Sequence, residues 1–271
     1  MRILPKKSLG QNFLIDQNIR NKIIAALELK PDDIVLEIGS GKGELTQAVA
    51  QRVNKVFGLE LDKRLYNFLD STSACAGKNI QIINNDILKF DIAKFLKQNE
   101  IKGRIKVFGN IPYYISSPII EHLLKFRDRI DTVFITVQKE FAARVAALPG
   151  GKDYGSFTCF TQYYTFPRII FNISRNCFKP SPKVDSSFLE LRIREKPAVY
   201  LKDETLFFRI IRGAFNQRRK TLRNSLSSIV SEKALSSFFE KSGLDKGVRP
   251  ERMALEDFAL LSNLQYLSKN T

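Results

Sequence analysis

The tetrapeptide Asn110-Ile111-Pro112-Tyr113 places a side-chain amide, a rigid proline and an aromatic ring directly after an apolar run. An adenine amine is a poor nucleophile because its lone pair is delocalised into the ring. Carbonyl oxygens of the Asn110 side chain and the Ile111 backbone would accept its two N–H bonds and aim the lone pair at an electrophile, with Pro112 keeping them preorganised. Tyr113 offers a face for base stacking. This pattern predicts alkyl transfer to an exocyclic amine without a general base.

Residues 34–46 form a second candidate site, since they read as a strand, a glycine-rich turn and the start of a helix. Such a turn lets a ligand lie close to backbone amides. The P-loop pattern is absent, and the dinucleotide pattern GxGxxG fails because Glu44 or Thr46 stands at its third glycine. An acidic strand end, Glu37, before GxGxG instead favours S-adenosylmethionine, which has no phosphates. A glycine turn without a ligand is the alternative for this segment taken alone.

Acidic residues also follow the next two predicted strands. Glu60 ends the second strand, about where an acid binds ribose hydroxyls in such folds. Asp86 follows the third strand and is placed to accept a hydrogen bond from an adenine amine. Each carboxylate alone is typical of a protein surface, but three at successive strand ends predict one crevice at the carboxyl edge of a sheet.

The elements that must position these residues alternate between β-rich and helical runs, which predicts a doubly wound parallel sheet. The predicted strands are residues 34–38, 55–59, 80–83, 105–108 and 132–137. Two later runs, 163–173 and 187–193, lack a helix-length segment between them, so we expect antiparallel pairing at one sheet edge. A helix over residues 17–29 precedes the sheet, and the chain after residue 196 reads as helices only.

Composition indicates a nucleic-acid partner. Lys and Arg number 44 against 28 Asp and Glu, a formal charge of +16, which attracts polyanions. Residues 209–223 hold six basic residues and no acid. We expect Arg209, Arg212, Arg219 and Arg223 to share one helical face that grips phosphates, the alternative being a merely solvated face.

Other residue types exclude several classes of protein. Cys75, Cys159 and Cys177 fit neither a disulfide framework nor a metal site, and His122 is the lone histidine. We therefore expect no metal. No apolar run is long enough to span a bilayer and no signal-peptide stretch is visible, so a cytoplasmic protein without membrane contact is expected.

Several motifs together resemble those of the ribosomal RNA adenine dimethyltransferase family, most closely its bacterial 16S branch. The resemblance runs nearly end to end and is carried by Gln11-Asn12-Phe13-Leu14, residues 37–46, Glu60-Leu61-Asp62, Asn85-Asp86-Ile87-Leu88, the acceptor tetrapeptide, Gln138-Lys139-Glu140, Tyr154-Gly155 and FKPSPKVDS at 178–186.

The resemblance implies a Rossmann-like class I methyltransferase sheet, mostly parallel with the last strands antiparallel, in residues 1–195. A small all-helical RNA-binding domain would occupy residues 196–271. The implied activity is S-adenosylmethionine-dependent N6,N6-dimethylation of two adjacent adenosines near the 3′ end of 16S rRNA. The implied partner is 16S rRNA within immature small ribosomal subunits, and the implied state is a monomer.

Residue roles carry over from the same motifs. The cofactor would contact Asn12, Leu14, Gly39, Glu60, Asp86 and Asn110. The catalytic set would be Asn110, Tyr113 and Phe178, with Phe178 stacking on the target base opposite Tyr113.

Two alternatives to the 16S activity stay open. Ser40 replaces the proline usual in the 16S branch and Ile111 the usual leucine, and both variants look like the 23S enzymes of macrolide resistance. Residues 215–223 and Arg249-Pro250-Glu251 look like the 16S group instead, and this longer match favours 16S rRNA. The other alternative, a non-catalytic nucleic-acid-binding factor that keeps the fold, is disfavoured by the intact tetrapeptide.

Overall fold

The computed structural model describes residues 4–71, 79–217 and 220–269. The strands are β1 Phe13–Leu14, β2 Ile34–Ile38, β3 Lys55–Glu60, β4 Ile80–Asn84, β5 Ile105–Asn110, β6 Ile130–Gln138, β7 Thr165–Ile173, β8 Phe178–Lys179 and β9 Ser186–Ile193. The α-helices are α1 Gln17–Ala26, α2 Glu44–Ala50, α3 Lys63–Ser71, α4 Ile92–Gln98, α5 Ser116–Lys125, α6 Lys139–Val145, α7 Ser156–Tyr164, α8 Glu204–Asn216, α9 Leu222–Leu226, α10 Glu232–Ser242 and α11 Leu255–Lys269.

Within the described ranges, seven strands form one sheet in the order β4-β3-β2-β5-β6-β9-β7. Neighbours from β4 to β6 run parallel, β9 runs antiparallel to β6, and β7 lies beside β9 at the edge. The predicted fold class, a mostly parallel sheet with antiparallel strands at one edge, is confirmed. Chain order reverses between β2 and β5, and ligands of such sheets bind at this switch point.

Apolar side chains explain why these segments become central strands. Val35 of β2, Val56 of β3 and Phe108 of β5 are all fully buried, as expected for parallel strands covered on both faces. They share one apolar cluster with Ile23, which lies within α1, and with Leu27, the residue that follows α1. This packing holds the strands in place, so the backbone positions of the residues at their carboxyl ends are fixed.

The predicted N-terminal helix over 17–29 is too long. Asp16 caps α1 by accepting a hydrogen bond from the Ile19 N–H at 2.9 Å, and the helix ends at Ala26. Glu28 has a left-handed φ of 47°, which stops the helix. Lys106 Nζ then donates to the Leu27 and Glu28 carbonyls, a cationic partner for a helix carboxyl end.

The predicted strand over 163–173 begins too early, because Tyr163 and Tyr164 are the last residues of α7. Both tyrosine hydroxyls donate to the Glu204 carboxylate, and both rings pack against Phe208. Aromatic residues favour strands on average, but packing in the folded chain overrides that tendency. The strand itself starts at Thr165.

The chain divides into two compact units. One runs to Ala142 and includes Arg168–Ile193, and the other joins Ala143–Pro167 to the residues from Arg194 onward. The segment 143–167 therefore packs with the C-terminal helices, although the predicted limits of 1–195 and 196–271 place it with the sheet. Those limits stay a prediction for the functional domains.

The predicted single basic face over 209–223 is wrong, because this stretch is not one helix. Helix α8 ends at Asn216, and Thr221 starts α9 by accepting a hydrogen bond from the Asn224 N–H. Arg223 on α9 pairs with Glu232, whereas Arg209 and Arg212 lie exposed on α8. The fourth member, Arg219, lies outside the described residues, as does Cys75.

None of the helices in the described ranges is long and apolar enough to cross a bilayer.

Candidate active site

The predicted crevice lies at the carboxyl ends of β2 to β5. One cavity there is lined by residues from four strand ends, among them Gly39, Glu60, Asp86 and Asn110. Asn12, from the segment before β1, lines it as well. The structure thus brings together five of the six residues predicted to contact the cofactor, and Leu14 lines an adjoining cavity to which Gly39 and Asn110 also contribute.

The glycine turn after β2 has the backbone that its sequence predicts. Gly39, Gly41 and Gly43 have φ angles of 77°, 58° and 81°, a region that side chains with a Cβ adopt rarely. The Gly39 and Ser40 N–H groups donate to the Leu59 carbonyl at 2.7 and 3.3 Å. The turn is therefore held against the end of β3, and its backbone borders the cavity.

Glu60 is locked at the end of β3 by backbone donors. Its two oxygens accept from the Gly41 and Asp62 N–H groups at 2.9 and 2.8 Å. Burial raises the pKa of Glu60 above its ordinary value, and backbone hydrogen bonds from Asp62, Gly41 and Leu61 act against that rise. A carboxylate has about four acceptor sites, so Glu60 can still accept from a hydroxyl in the cavity.

Asp86 stands two residues beyond β4 and caps a short helical turn by accepting a hydrogen bond from the Leu88 N–H at 3.0 Å. Asn85, beside it, accepts a hydrogen bond from the Asp86 N–H at 2.8 Å. These bonds fix Asp86 at the cavity wall.

Asn110 is the last residue of β5, and its side chain is oriented by the segment that precedes β1. The Asn110 Nδ2 donates to the Asn12 carbonyl oxygen at 2.8 Å. Oδ1 therefore points away from that carbonyl. Asn110 thus lines both the main cavity and the adjoining one.

Tyr113 and Phe178 have different surroundings. The Tyr113 hydroxyl shares a 2.5 Å hydrogen bond with Ser186 Oγ, and burial raises the pKa of the phenol. Phe178 is 3% exposed and belongs to the apolar cluster under the sheet. It lines neither of the two cavities, so the structure does not bring the predicted stacking pair together. Ser186 was not predicted to have a role, although it ends the quoted FKPSPKVDS motif.

Glu37 lies under the glycine turn, 2% exposed, with the Thr46 hydroxyl donating to its Oε2. Burial raises its pKa from 4.5 to about 7, with the Thr46 and Ser40 hydroxyls acting in the opposite direction. The acid predicted at the first strand end is thus a buried residue that lines the adjoining cavity.

The lining of the main cavity fits S-adenosylmethionine better than a phosphate-bearing nucleotide. It contains Glu60 and Asp86, and no lysine or arginine stands among the described residues that line it. Such a site suits a cationic sulfonium compound with ribose and adenine donors, and it disfavours pyrophosphate. Glu60 and Asp86 would hold the nucleoside part, with the turn at Gly39 beside the remainder. Among the described residues, no group of acids, histidines and cysteines is suited to hold a metal ion.

These features fit the class of methyltransferases that use S-adenosylmethionine, and comparison with known proteins gives the family. The family model described as ribosomal RNA adenine dimethylase matches residues 4–266. The chain therefore belongs to the ribosomal RNA adenine dimethylase family. The predicted family and enzyme class, an rRNA adenine dimethyltransferase, are confirmed.

Similar proteins agree with that assignment. Ribosomal RNA small subunit methyltransferase A of Moorella thermoacetica is 43% identical over 268 residues, which cover 96% of this chain and 92% of that protein. The protein of the same description from Caldanaerobacter subterraneus is 41% identical and covers 97% of both.

Two solved structures are similar over almost the whole chain. A dimethyladenosine transferase from Plasmodium falciparum has a TM-score of 0.79 and 26% identity, covering 95% of this chain and 98% of that one. The 23S rRNA methyltransferase ErmE has a TM-score of 0.72 and 26% identity, covering 94% and 100%. The predicted methyltransferase fold is confirmed.

Proposed function

We propose that this enzyme uses S-adenosylmethionine to dimethylate N6 of two adjacent adenosines near the 3′ end of 16S rRNA, acting on immature small subunits in the cytoplasm as a monomer. The observation that carries the chemistry is the Asn110 amide, oriented by Asn12 and shared by the two cavities. Support for the 16S target comes from relatives 40–43% identical that are described as small-subunit methyltransferases.

The chain's own residues would perform substrate orientation. Asn110 Oδ1 and the Ile111 carbonyl accept the two N–H bonds of the adenine amine, which reduces conjugation of its lone pair with the ring. S-adenosylmethionine, when bound, supplies an activated methyl group. Because β5 and Pro112 fix these acceptors before the substrate arrives, the main contribution is positioning. The proton of the alkylated amine leaves to water.

Cofactor binding is assigned to Asn12, Leu14, Gly39, Glu60, Asp86 and Asn110. Glu60 accepts from ribose hydroxyls and Asp86 from the adenine amine. The backbone at Gly39 allows close approach, and Leu14 reaches the site through the adjoining cavity.

Base stacking is assigned to Tyr113 and Phe178. Tyr113 lines the main cavity and its hydroxyl is held by Ser186. Phe178 acts as the second stacking surface only if its ring turns out of the apolar cluster in which it is buried. An adenine inside a duplex does not reach the site, so the target is single-stranded or looped out.

The decisive experiment offers the purified enzyme labelled S-adenosylmethionine together with small subunits from cells that lack their own such enzyme. Label on two adjacent adenosines near the 3′ end of 16S rRNA is the expected result. Naked 23S rRNA is the parallel substrate, and labelled adenine there would replace the 16S assignment with the 23S alternative. If wild type and Asn110→Ala both leave every ribosomal RNA unlabelled, a non-catalytic binding factor is the better description.

A further inference from the structure

Asp62, two residues beyond Glu60, has a carboxylate with several partners and no exposed side-chain surface. It accepts from Arg64 Nε at 3.1 Å and from Arg64 Nη2 at 2.7 Å. Gln11 Nε2 donates to it at 3.2 Å, and Lys6 Nζ lies 3.6 Å away. The Arg64 hydrogen bonds hold the pKa of Asp62 below its usual range, so this group is an anion throughout the neutral range.

These partners tie residues 4–11, here called the N-terminal strap, to the turn after β3. Within the strap, the Lys6 N–H donates to Gln11 Oε1 at 2.7 Å. Arg64 Nη2, besides binding Asp62, reaches the Leu4 carbonyl at 3.4 Å. Lys6 and Gln11 therefore contact the Asp62 carboxylate directly, and Leu4 is linked to it through Arg64.

The strap forms a wall of the main cavity. Leu9, Gly10 and Gln11 line it together with Glu60 and Asp86. The residues that follow the strap are held independently, since Asn12 accepts from Asn110 and β1 pairs with β8. Breaking the Asp62 hydrogen bonds would thus release the wall without releasing the Asn110 amide.

We propose that Asp62 is a positioning residue that keeps the N-terminal strap closed over S-adenosylmethionine and so sets how tightly the cofactor is retained. This rests on the cofactor assignment of the proposed function. The side chain, not the backbone, is the anchor, because the bond to Glu60 Oε1 comes from the Asp62 backbone N–H. Asp62→Asn therefore leaves that bond in place and removes one acceptor oxygen and the charge.

Asp33→Asn is the matched control. Like Asp62, Asp33 contacts a lysine, with Lys106 Nζ at 2.8 Å. Its side chain accepts from the Lys30 N–H at 2.7 Å, as that of Asp62 does from the Arg64 N–H at 3.1 Å. Its place before β2 is at the opposite edge of the sheet from the cavity. If Asp62→Asn and Asp33→Asn lose the same stability, a difference in strap exchange between them is an effect on the strap itself.

Hydrogen exchange of the protein without cofactor tests the anchor directly. Backbone amides of residues 6–11 are expected to exchange faster in Asp62→Asn than in wild type, and at the wild-type rate in Asp33→Asn. Arg64→Met, at a half-exposed side chain, is expected to act in the same direction and serves if Asp62→Asn does not fold. If the strap amides exchange at the wild-type rate in both Asp62→Asn and Arg64→Met, the proposal is overturned.

Titration with S-adenosylhomocysteine and steady-state kinetics test the consequence. The dissociation constant and the KM for S-adenosylmethionine are expected to rise about tenfold, the loss of roughly one charged hydrogen bond, while kcat and the KM for RNA stay unchanged. Faster exchange with unchanged affinity would refute cofactor retention, and a fall in kcat alone would show that Asp62 acts through Asn110. If the wild-type protein does not bind S-adenosylhomocysteine, the cofactor assignment and the retention role are both refuted. The hydrogen-exchange result still tests, independently, whether Asp62 anchors the strap.

Discussion

Asn110 and Asn12 are 98 positions apart in the chain, and the side chain of the first is oriented by the backbone of the second. The Asn110 Nδ2 donates to the Asn12 carbonyl at 2.8 Å. A carbonyl oxygen attracts only the nitrogen end of an amide, so this hydrogen bond determines which way the acceptor oxygen of Asn110 points. The orientation of the proposed catalytic amide is therefore a property of the segment before β1 as well as of β5.

Asn110→Asp is expected to slow methyl transfer far more than it weakens cofactor binding, because Asn110 is assigned to both. The carboxylate has the same shape but no donor for the Asn12 carbonyl, so it is repelled from the position that the amide holds. Loss of one preorganised group of this kind costs about 100- to 1,000-fold in rate. Single-turnover transfer and titration with S-adenosylhomocysteine measure the two effects.

Asn12→Ala is the control for that prediction, because it keeps the backbone carbonyl that orients Asn110. We expect its single-turnover rate at saturating cofactor to stay near that of wild type. A rate for Asn110→Asp within tenfold of wild type would contradict the orienting role.

Glu37→Gln is expected to raise stability at neutral pH relative to wild type. The pKa of Glu37 in the folded protein is about 7 against an ordinary value of 4.5, so the folded form resists ionisation. Below pH 4.5 neither state ionises and Glu37 costs nothing. Between pH 4.5 and 7 the unfolded state ionises first, and the destabilisation grows to roughly 3 kcal/mol, at about 1.4 kcal/mol per unit of pKa difference, and stays constant above pH 7.

Denaturant titrations of both proteins at several pH values check this dependence. The difference in unfolding free energy between Glu37→Gln and wild type is expected to increase in favour of the variant from pH 4.5 to 7 and then level off. The Thr46 hydroxyl still has an amide oxygen as acceptor in the variant, so that hydrogen bond is preserved. A difference independent of pH would show that Glu37 ionises normally in the folded protein.

Reversal of two arginines on α8, Arg209→Glu with Arg212→Glu, is expected to weaken RNA or subunit binding and leave cofactor affinity unchanged. Both side chains border a groove with Asn216, and no ion pair to either occurs among the described residues, whereas Arg223 is neutralised by Glu232. The slope of log affinity against log salt should become shallower by about 0.7 for each RNA phosphate that the variant no longer neutralises.

The matched control reverses Lys233 and Lys241, two exposed lysines on α10. Net charge changes by the same amount, so any general loss of attraction for polyanions appears in both proteins. Equal binding by the two double variants would assign the effect to net charge alone and reject a specific role for the α8 arginines.

The positions of the strand ends could be predicted from the sequence because they depend on runs of apolar residues that are close together in the chain. Buried apolar runs identify parallel strands, and the carboxyl ends of parallel strands meet, so Gly39, Glu60, Asp86 and Asn110 were expected at one edge and lie there. The hydrogen bonds of Asn12 and Asp62 were not accessible in this way, because each depends on a segment distant in sequence. The motifs that contain them were the only signal.

Other differences have tertiary causes. Tyr163 and Tyr164 are strand-forming types that end a helix because Glu204 and Phe208 hold them there. The family resemblance assigns Phe178 to base stacking, yet in the structure β8 pairs with β1 and Phe178 lies in the apolar cluster. The sequence pattern identifies apolar residues, but it does not tell whether an apolar side chain packs in the core or faces a ligand cavity.

The β1–β8 ladder also bears on how the enzyme is made. Phe13 pairs with Lys179 and Leu14 with Phe178, so the earlier strand leaves the ribosome on the order of ten seconds before its partner at ordinary translation speeds. Late in that interval a nascent chain carries the glycine turn, Glu60 and Asn110 but has no β8 strand to pair with β1 beside Asn12. The proposed cofactor site is thus completed only once residues 178–179 are made, and a polypeptide truncated before Phe178 has most of the proposed ligand-binding residues without the β1–β8 ladder.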